Sequence, residues 1–345
     1  MRDWFVFRSK ALPLSFRVKR NVPLVLLILL VLILAVSVIS ISVGEFQISI
    51  PDVLATPFGA GDKRFTFIIM RLRLPRALIA IFVGMAIAAS GAILQGLTRN
   101  PLASPDIIGI SHGASLAAVG LIIFASWISI TFVPVAAFLG AGVAALLVYL
   151  LAWRKGSSPI RLILVGIGLS AIASALVQIM ISTSEIFRVN QALVWLVGSI
   201  YGRSWGEFWA LVPWLVIFLP LAFFLARHLD ALHLGDDLAR GLGSNIERLR
   251  LILLITAVAL AGSSVATAGT IAFVGLMAPH IARLLVGPSH NGLLPTASLL
   301  GALIVALADL LGRVLFAPIE VPCGVITAAI GAPYFIWLLL RSRNL

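Results

Sequence analysis

From residue 22 onward, the chain is a succession of long apolar segments separated by short stretches with charges, prolines or glycines. A helix of about 20 apolar residues crosses the hydrocarbon core of a bilayer. Only 11% of the residues are charged, against about 25% in a typical soluble domain. The segments predict an all-α polytopic membrane protein with about ten transmembrane helices, at roughly 22–43, 74–97, 107–127, 131–153, 160–182, 206–227, 249–268, 270–286, 292–311 and 323–340.

Two units of unequal size follow from this pattern. Residues 1–21 form a basic segment, and residues 22–345 form one ten-helix membrane domain. The apolar run that starts at residue 22 is too long for the core of a signal peptide and lacks a clear small-x-small cleavage site, so we interpret it as a retained first helix. The single cysteine, Cys323, excludes an intrachain disulfide and a multi-cysteine metal site.

The distribution of cations predicts the orientation. If the N-terminus is cytoplasmic and the segments alternate, most of the 25 lysine and arginine residues fall on the cytoplasmic side, together with both termini. Arg71, Arg73 and Arg76 go against this trend, because they fall on the external side at the edge of the second segment. They either snorkel to lipid headgroups or bind a partner.

An internal resemblance predicts an inverted repeat. "GMAIAASGAILQGLTRNPLASPDIIGISHG" and "VALAGSSVATAGTIAFVGLMAPHIARLLVGPSHNG" share small-residue spacing, and the first begins outside whereas the second begins inside. Transporters often contain such repeats. The small residues either let helices pack closely or line a pathway. His112, at the end of the first copy, is interpreted as a packing histidine, with a ligand or switch role as the alternative.

The longest predicted cytoplasmic loop, about 228–250, has a pattern that a solvated loop does not need. Leu234, Leu238 and Leu242 recur at i, i+4 and i+8 and form one apolar stripe on a short helix. The acidic pair Asp236 and Asp237 argues against an anionic membrane surface as the target. The stripe therefore favours docking on a partner protein.

Two kinds of residue pattern that power transport are missing from the sequence. The sequence has no Gly-Lys dipeptide and therefore no phosphate-binding P-loop. It also has no ionisable residue clearly at the midplane of a predicted helix, which a proton- or sodium-coupled carrier normally needs. The net charge of +12 is explained by membrane orientation, since basic patches with interleaved aromatic residues, typical of nucleic-acid binding, are missing. We expect no catalytic site, metal site or cofactor in this chain, and no nucleic-acid partner.

Four stretches together resemble the FecCD family of permease subunits, and they extend over nearly the whole chain from about residue 22. They are "RLPRALIAIFVGMAIAASGAILQGLTRNPLASPDIIGISHGA", "LGDDLARGLG", "GTIAFVGLMAPHIAR" and "PCGVITAAIGAPYFIWLLL". The resemblance implies the architecture of a type II ABC importer permease in a bacterial cytoplasmic membrane. It also implies three kinds of partner: a second permease subunit, identical or homologous, two cytoplasmic ATPase subunits that hydrolyse ATP, and an external substrate-binding protein.

The resemblance also assigns candidate site residues. Arg73 and Arg76 of "RLPR" and Arg313 of "ADLLGR" match arginines that pair with glutamates of the binding protein, whereas Arg71 lies outside the match. The segment that contacts the ATPase is matched by five residues, to which the apolar stripe and its small neighbours add Leu238 and Gly241. The whole set is Leu234, Gly235, Leu238, Ala239, Gly241, Leu242 and Gly243.

The cargo implied by the resemblance is an iron-siderophore complex, with vitamin B12 or haem as the alternatives. Two functions of other classes also remain open: a secondary carrier that works alone, and a structural or assembly protein without cargo. Co-purification with an ATPase subunit would separate the importer from both.

Overall fold

The computed structural model describes residues 4–8, 15–44, 46–125, 127–154, 158–233, 235–241 and 245–342. These residues are mainly helical. In chain order the helices are α1 (Asn21–Ser42), α2 (Ile50–Ala55), α3 (Lys63–Phe67), α4 (Leu74–Thr98), α5 (Ile110–Phe124), α6 (Val133–Ala152), α7 (Pro159–Ser182), α8 (Ile186–Val197), α9 (Trp205–Phe224), α10 (Ala226–His233), α11 (Asp236–Gly241), α12 (Ile246–Ala268), α13 (Val274–Val286), α14 (His290–Val314) and α15 (Cys323–Ser342).

Seven helical stretches among these residues are long and apolar enough to cross a membrane. One of them, Lys63–Thr98, is continuous because a π-helical stretch at Ile68–Arg73 joins α3 to α4. Each of the seven contains or overlaps a predicted crossing. The prediction of an all-α polytopic membrane protein is confirmed.

The other three predicted crossings correspond to the shorter helices α5, α13 and α15. The clearest case is α13, which has 13 residues because the backbone between Gly269 and Phe273, both with positive φ angles, is not helical and delays the start of the helix to Val274. At 1.5 Å per residue this helix is about 20 Å long, which is short of a hydrocarbon core of about 30 Å. One apolar helix was not predicted: α8 has 12 residues and lies in the predicted link between two crossings.

Small residues bring the central helices close together. In α4, Gly84 contacts Gly301 of α14 so tightly that a Cβ atom on Gly84 would lie 2.2 Å from the Gly301 carbonyl oxygen. The Ser90 hydroxyl of α4 donates a hydrogen bond of 2.7 Å to the Ala257 carbonyl of α12. At these positions the close-packing interpretation of the small residues applies. Helices α4, α12 and α14 therefore form the buried centre of the molecule.

Alternating helices place the connections at two ends. We call one the Arg76 end, made of the connections at 43–73, 183–204 and 315–322, and the other the Asp236 end, made of 99–109 and 225–245. Arg73 reaches the end of α1, and Arg99 reaches Leu232 at the close of α10, which ties each set of connections together. By the charge pattern, the Arg76 end is the predicted external one.

The described part of the basic N-terminal segment is a β-hairpin. Its strands, β1 (Trp4–Arg8) and β2 (Ser15–Lys19), pair antiparallel, with Trp4 opposite Lys19 and Arg8 opposite Ser15. Since β2 is separated from α1 by Arg20 alone, the hairpin lies beside the entry of α1 into the apolar domain.

Candidate docking, coupling and pathway sites

Arg76 is the centre of an ion-pair network at the Arg76 end. Its guanidinium group forms a fork on Asp309, with Nε 3.1 Å from both carboxylate oxygens and Nη2 2.9 Å from Oδ1. The same Nη2 lies 2.9 Å from Glu320 Oε2, and the guanidinium carbon lies 5.6 Å from the ring centre of Tyr201. Arg76 therefore joins α4, α14, the 315–322 link and the 198–204 turn.

The other two predicted docking arginines hold the end of α1. Arg73 donates hydrogen bonds to the backbone oxygens of Ile41, at 2.6 Å, and Phe46, at 2.8 Å. Arg313 donates to the backbone oxygen of Ser40 and, at 2.9 Å, to its hydroxyl. The structure thus brings Arg73, Arg76 and Arg313 to one end, as the sequence predicts, with each already bonded inside the chain. Their role in docking stays a prediction.

Arg71 differs from its neighbours in that its side chain is exposed. It makes no hydrogen bond or ion pair with any other residue that the structure describes. Arg71 and Arg73 lie in the same π-helical stretch but point in different directions. Arg71 faces outward, whereas Arg73 reaches α1. A further arginine at this end, Arg203, has a buried Nε atom without a hydrogen-bond partner in the described part of the chain.

The sequence analysis gave no role to the carboxylates that hold Arg76. Residues 251–345 contain only two acidic residues, Asp309 and Glu320. An ionisable group in an apolar helix is costly unless it is paired, so Asp309 on α14 needed a cation from another helix. That requirement was visible in the sequence, but its partner was not.

At the opposite end, Asp236 fixes the predicted coupling segment to the membrane helices. Its carboxylate accepts a hydrogen bond from Arg99, at the end of α4. Both carboxylate oxygens also lie 2.9 Å from Nη2 of Arg250 in α12. Desolvation would raise the pKa of Asp236, but Arg250 and Arg99 outweigh it and hold the pKa below its ordinary value. Asp236 is thus ionised at neutral pH, which the buried Arg250 requires.

A second carboxylate anchors the preceding helix. Asp230 of α10 lies 2.6 Å from the Nδ1 atom of His290, and it accepts hydrogen bonds from the His290 backbone N–H at 2.9 Å and the Ser289 hydroxyl at 3.1 Å. Desolvation would raise the pKa of Asp230, but these hydrogen bonds outweigh it and hold the pKa low. Together, Asp230 and Asp236 connect the segment to α4, α12 and α14.

The structure describes the coupling segment in part, and of the predicted leucine stripe only Leu238 lies among the described residues. The described part consists of α10 and the six-residue α11, between which Gly235 has a φ of 114° that favours glycine. Ala239 is completely buried against this chain, whereas Leu238 is 61% exposed and Gly241 is exposed. The predicted positions Leu234, Leu242 and Gly243 lie outside the described residues. Leu238, rather than Ala239, is therefore the position open to a partner.

A cavity with a volume of about 750 Å³ lies among the described residues. It lies between α5, α7, α8 and the start of α13, with largely apolar walls. Its polar lining includes Asp106 and His112, whose Nδ1 lies 3.1 Å from the Asp106 backbone oxygen. His112 thus faces a cavity while one ring nitrogen is satisfied, which leaves both of its predicted roles open.

No catalytic arrangement accompanies this cavity. Residues 109–113, "GISHG", have the G-x-S-x-G spacing of a hydrolase nucleophile elbow, but they follow a turn and not the strand that such an elbow needs. Among the described residues, no group of three or more histidine, cysteine, aspartate or glutamate side chains could hold a metal ion.

Comparison with known proteins places this geometry in a family. The profile of the FecCD transport family matches residues 29–341. The chain is 50% identical over 312 residues to a probable siderophore transport system permease protein, YfhA of Bacillus subtilis, covering 88% of this chain and 91% of that one. It is 48% identical over 323 residues to the Fe(3+)-citrate import system permease protein YfmE of the same organism, covering 94% and 96%.

A solved structure described as a metal-chelate type ABC transporter, in an inward-facing conformation, is similar in fold. The TM-score is 0.81 at 32% sequence identity, and the match covers 92% of this chain and 99% of the other. Both the sequence and the fold are therefore matched over nearly their full length, and the chain belongs to the FecCD transport family.

Proposed function

We propose that this chain is the transmembrane permease subunit of an ATP-driven importer that moves an iron-siderophore complex across a bacterial cytoplasmic membrane. The observation that supports the proposal most is the full-length similarity to permeases of siderophore and ferric citrate import systems. In this proposal ATP is hydrolysed by another chain, which agrees with the lack of a P-loop in the sequence. The partners are a second permease subunit, two ATPase subunits and an external binding protein.

The two ends of the molecule support different contacts in this assembly. The Arg76 end, which the charge pattern places outside, offers arginines to acidic side chains of the binding protein. The Asp236 end offers Leu238 and the α10–α11 segment to the ATPase. The cavity between α5, α7 and α8 supplies one wall of the cargo pathway, because its volume of about 750 Å³ leaves room for a cargo molecule between the helices.

Uptake by the reconstituted transporter tests this function. The permease, its ATPase and its binding protein are placed in proteoliposomes with a radioactive ferric siderophore outside. Uptake should persist when proton and sodium gradients are collapsed and should stop without ATP, with an ATPase variant that cannot hydrolyse ATP as the control. Gradient-driven uptake by this chain alone would contradict the proposal.

The cargo is tested separately. Binding of the external protein to ferric hydroxamate, ferric citrate, haem and vitamin B12 is measured, and the tightest ligand is then used for uptake. We expect a ferric siderophore to bind most tightly and to be transported. Preferred binding and uptake of haem or vitamin B12 would replace the cargo assignment while leaving the permease assignment in place.

A further inference from the structure

We propose that Arg76 is a carboxylate-exchange site, in which Glu320 occupies the position that an acidic side chain of the external binding protein takes on docking. This rests on the proposed function, since it specifies how the Arg76 end receives its partner. Glu320 would act as a placeholder that keeps the arginine paired until the partner arrives.

The two carboxylates on Arg76 are held unequally. Asp309 receives the guanidinium fork, with three contacts of 2.9–3.1 Å, and its side chain is only 4% exposed. The ion pair of Glu320 with Arg76 is a single contact of 2.9 Å through Oε2. That oxygen atom is buried, but the side chain as a whole is 30% exposed. Because the fork is directional, the Asp309 pair is the fixed one and the Glu320 pair is the one that another carboxylate can replace.

The position of Glu320 suits such an exchange. It lies in the link 315–322, where Leu315 and Ile319 are exposed, and its partly exposed side chain extends inward to place the buried Oε2 atom against Arg76. Asp309 reaches the same arginine from within α14. A partner approaching this end meets Glu320 first and leaves the buried fork in place.

Arg73 and Arg313 do not offer an equivalent exchange. Their contacts described above go to backbone oxygens of residues 40–46 and to the Ser40 hydroxyl, and those groups hold the end of α1. Replacing them would leave the oxygens at the end of α1 without these donors, whereas replacing Glu320 exchanges one carboxylate for another. The predicted seat of three arginines therefore reduces to one exchange position, with Arg73 and Arg313 as positioning residues.

The test is the affinity of docking for a Glu320→Gln variant. The wild-type transporter, with its ATPase in nanodiscs, is used to identify the binding protein, which is then labelled and titrated onto each variant at low salt. Gln keeps the shape of the side chain but not its charge, so the partner no longer competes for Arg76. We expect docking to tighten by about twofold to tenfold, the range for a partly exposed ion pair.

A matched control is available at the same end. Glu185 is an exposed glutamate that lies 3.8 Å from Arg188, so Glu185→Gln removes the same charge from an arginine pair away from Arg76. Docking to this variant should equal that of the wild type. The melting temperature is measured for each variant. If Glu320 is a placeholder, Glu320→Gln should lower stability slightly and tighten docking. If Glu320 is a structural brace, the variant should lower stability and weaken docking.

Unchanged or weaker docking by Glu320→Gln would overturn the exchange. That outcome is distinguishable from failure of the docking assignment itself, which is tested with the paired change Arg76→Gln and Asp309→Asn. If the paired change weakens docking and Glu320→Gln does not tighten it, Arg76 is a docking residue without a placeholder. If neither variant alters docking, the seat is elsewhere.

Discussion

At the Arg76 end one arginine contacts two carboxylates, whereas at the Asp236 end one carboxylate contacts two arginines. In the first case the more exposed carboxylate, Glu320, can be exchanged without exposing a buried charge. In the second, removing Asp236 leaves Arg250, which is only 2% exposed, without its closest carboxylate. The same ion-pair chemistry thus gives a replaceable contact at one end and a fixed joint at the other.

This difference matches what the two proposed partners require. An external binding protein docks and leaves in each transport cycle, so its seat has to exchange contacts. A segment that transmits movement from an ATPase has to remain attached to the helices it moves. Asp230 and Asp236 provide that attachment to α4, α12 and α14.

The largest expected effect is a loss of stability when the fixed joint is broken. Asp236→Asn removes the closest carboxylate from the buried Arg250. Breaking a buried ion pair from one side costs about 3–5 kcal/mol. We expect the lower end of that range, since Asp236 is partly exposed. The measurement is thermal unfolding of the purified protein in detergent.

The neighbouring residue is the control for this variant. Asp237 is fully exposed and, among the residues that the structure describes, pairs only with the exposed Arg240, so Asp237→Asn should unfold like the wild type. Equal stability of Asp236→Asn and Asp237→Asn would show that the joint is not fixed and would remove the contrast between the ends.

The next effect is on docking at the Arg76 end. Arg76→Glu is unsuitable, because it would leave Asp309 buried beside a second acid. Arg76→Gln combined with Asp309→Asn removes the buried pair together, so that the carboxylate left without Arg76 is the partly exposed Glu320. We expect it to weaken binding of the external protein by about tenfold or more at low salt, and by less at high salt.

Arg71→Gln is the matched control, since Arg71 is exposed at the same end and makes no hydrogen bond or ion pair with the described residues. Its effect on docking should be smaller than that of the paired change, and titration of the labelled binding protein measures both. A larger effect of Arg71→Gln would mean that the exposed arginine, rather than the network, is the docking residue.

A smaller effect is expected on the ATPase contact. Leu238→Asp places a charge on an exposed position, so it should leave the melting temperature of the chain nearly unchanged. Recovery of the ATPase in a pull-down should fall several-fold, because a charge would replace an apolar contact. Arg240→Gln, on the same short helix, is the control, and full ATPase recovery with Leu238→Asp would contradict the assignment.

The smallest effect is a pH dependence of the joint. The pKa of Asp236 is lower in the folded protein than the ordinary value of about 3.9, so its contribution to stability is present above that value and is lost as pH falls through the folded pKa. The gap in melting temperature between wild type and Asp236→Asn should therefore be constant near neutral pH and close below about pH 4. A gap that persists in strong acid would contradict an ionic joint.

Local pattern predicted most of the helices because an apolar run of spanning length has few alternatives in a membrane. It was less informative where a helix is short. The 12-residue α8 lies between predicted crossings, and α13 is shortened by the backbone at Gly269 and Phe273. Arg188, Asn190 and Gln191 interrupt the apolar residues of α8, and positive φ angles do not show in a hydropathy pattern.

For the candidate sites too, the sequence predicted which residues group together but not how their side chains are arranged. The sequence indicated that Arg73, Arg76 and Arg313 belong together and that residues 228–250 contact a partner. It did not indicate that Ala239 would be buried and Leu238 exposed, because that depends on how α11 rests on α12. A variant at Ala239 would therefore disturb this chain before it disturbed a partner.

By itself, the sequence determined the membrane class, the set of long helices and the absence of a nucleotide-binding loop, because each depends on residues that are neighbours in the chain. Only the tertiary structure decided which arginine is exposed, which carboxylate is fixed and which can be exchanged. Arg76 and Asp309 lie 233 positions apart, and their pairing follows from the close packing of α4 against α14 through small residues. Contacts of that range depend on the lateral arrangement of helices, which no local pattern contains.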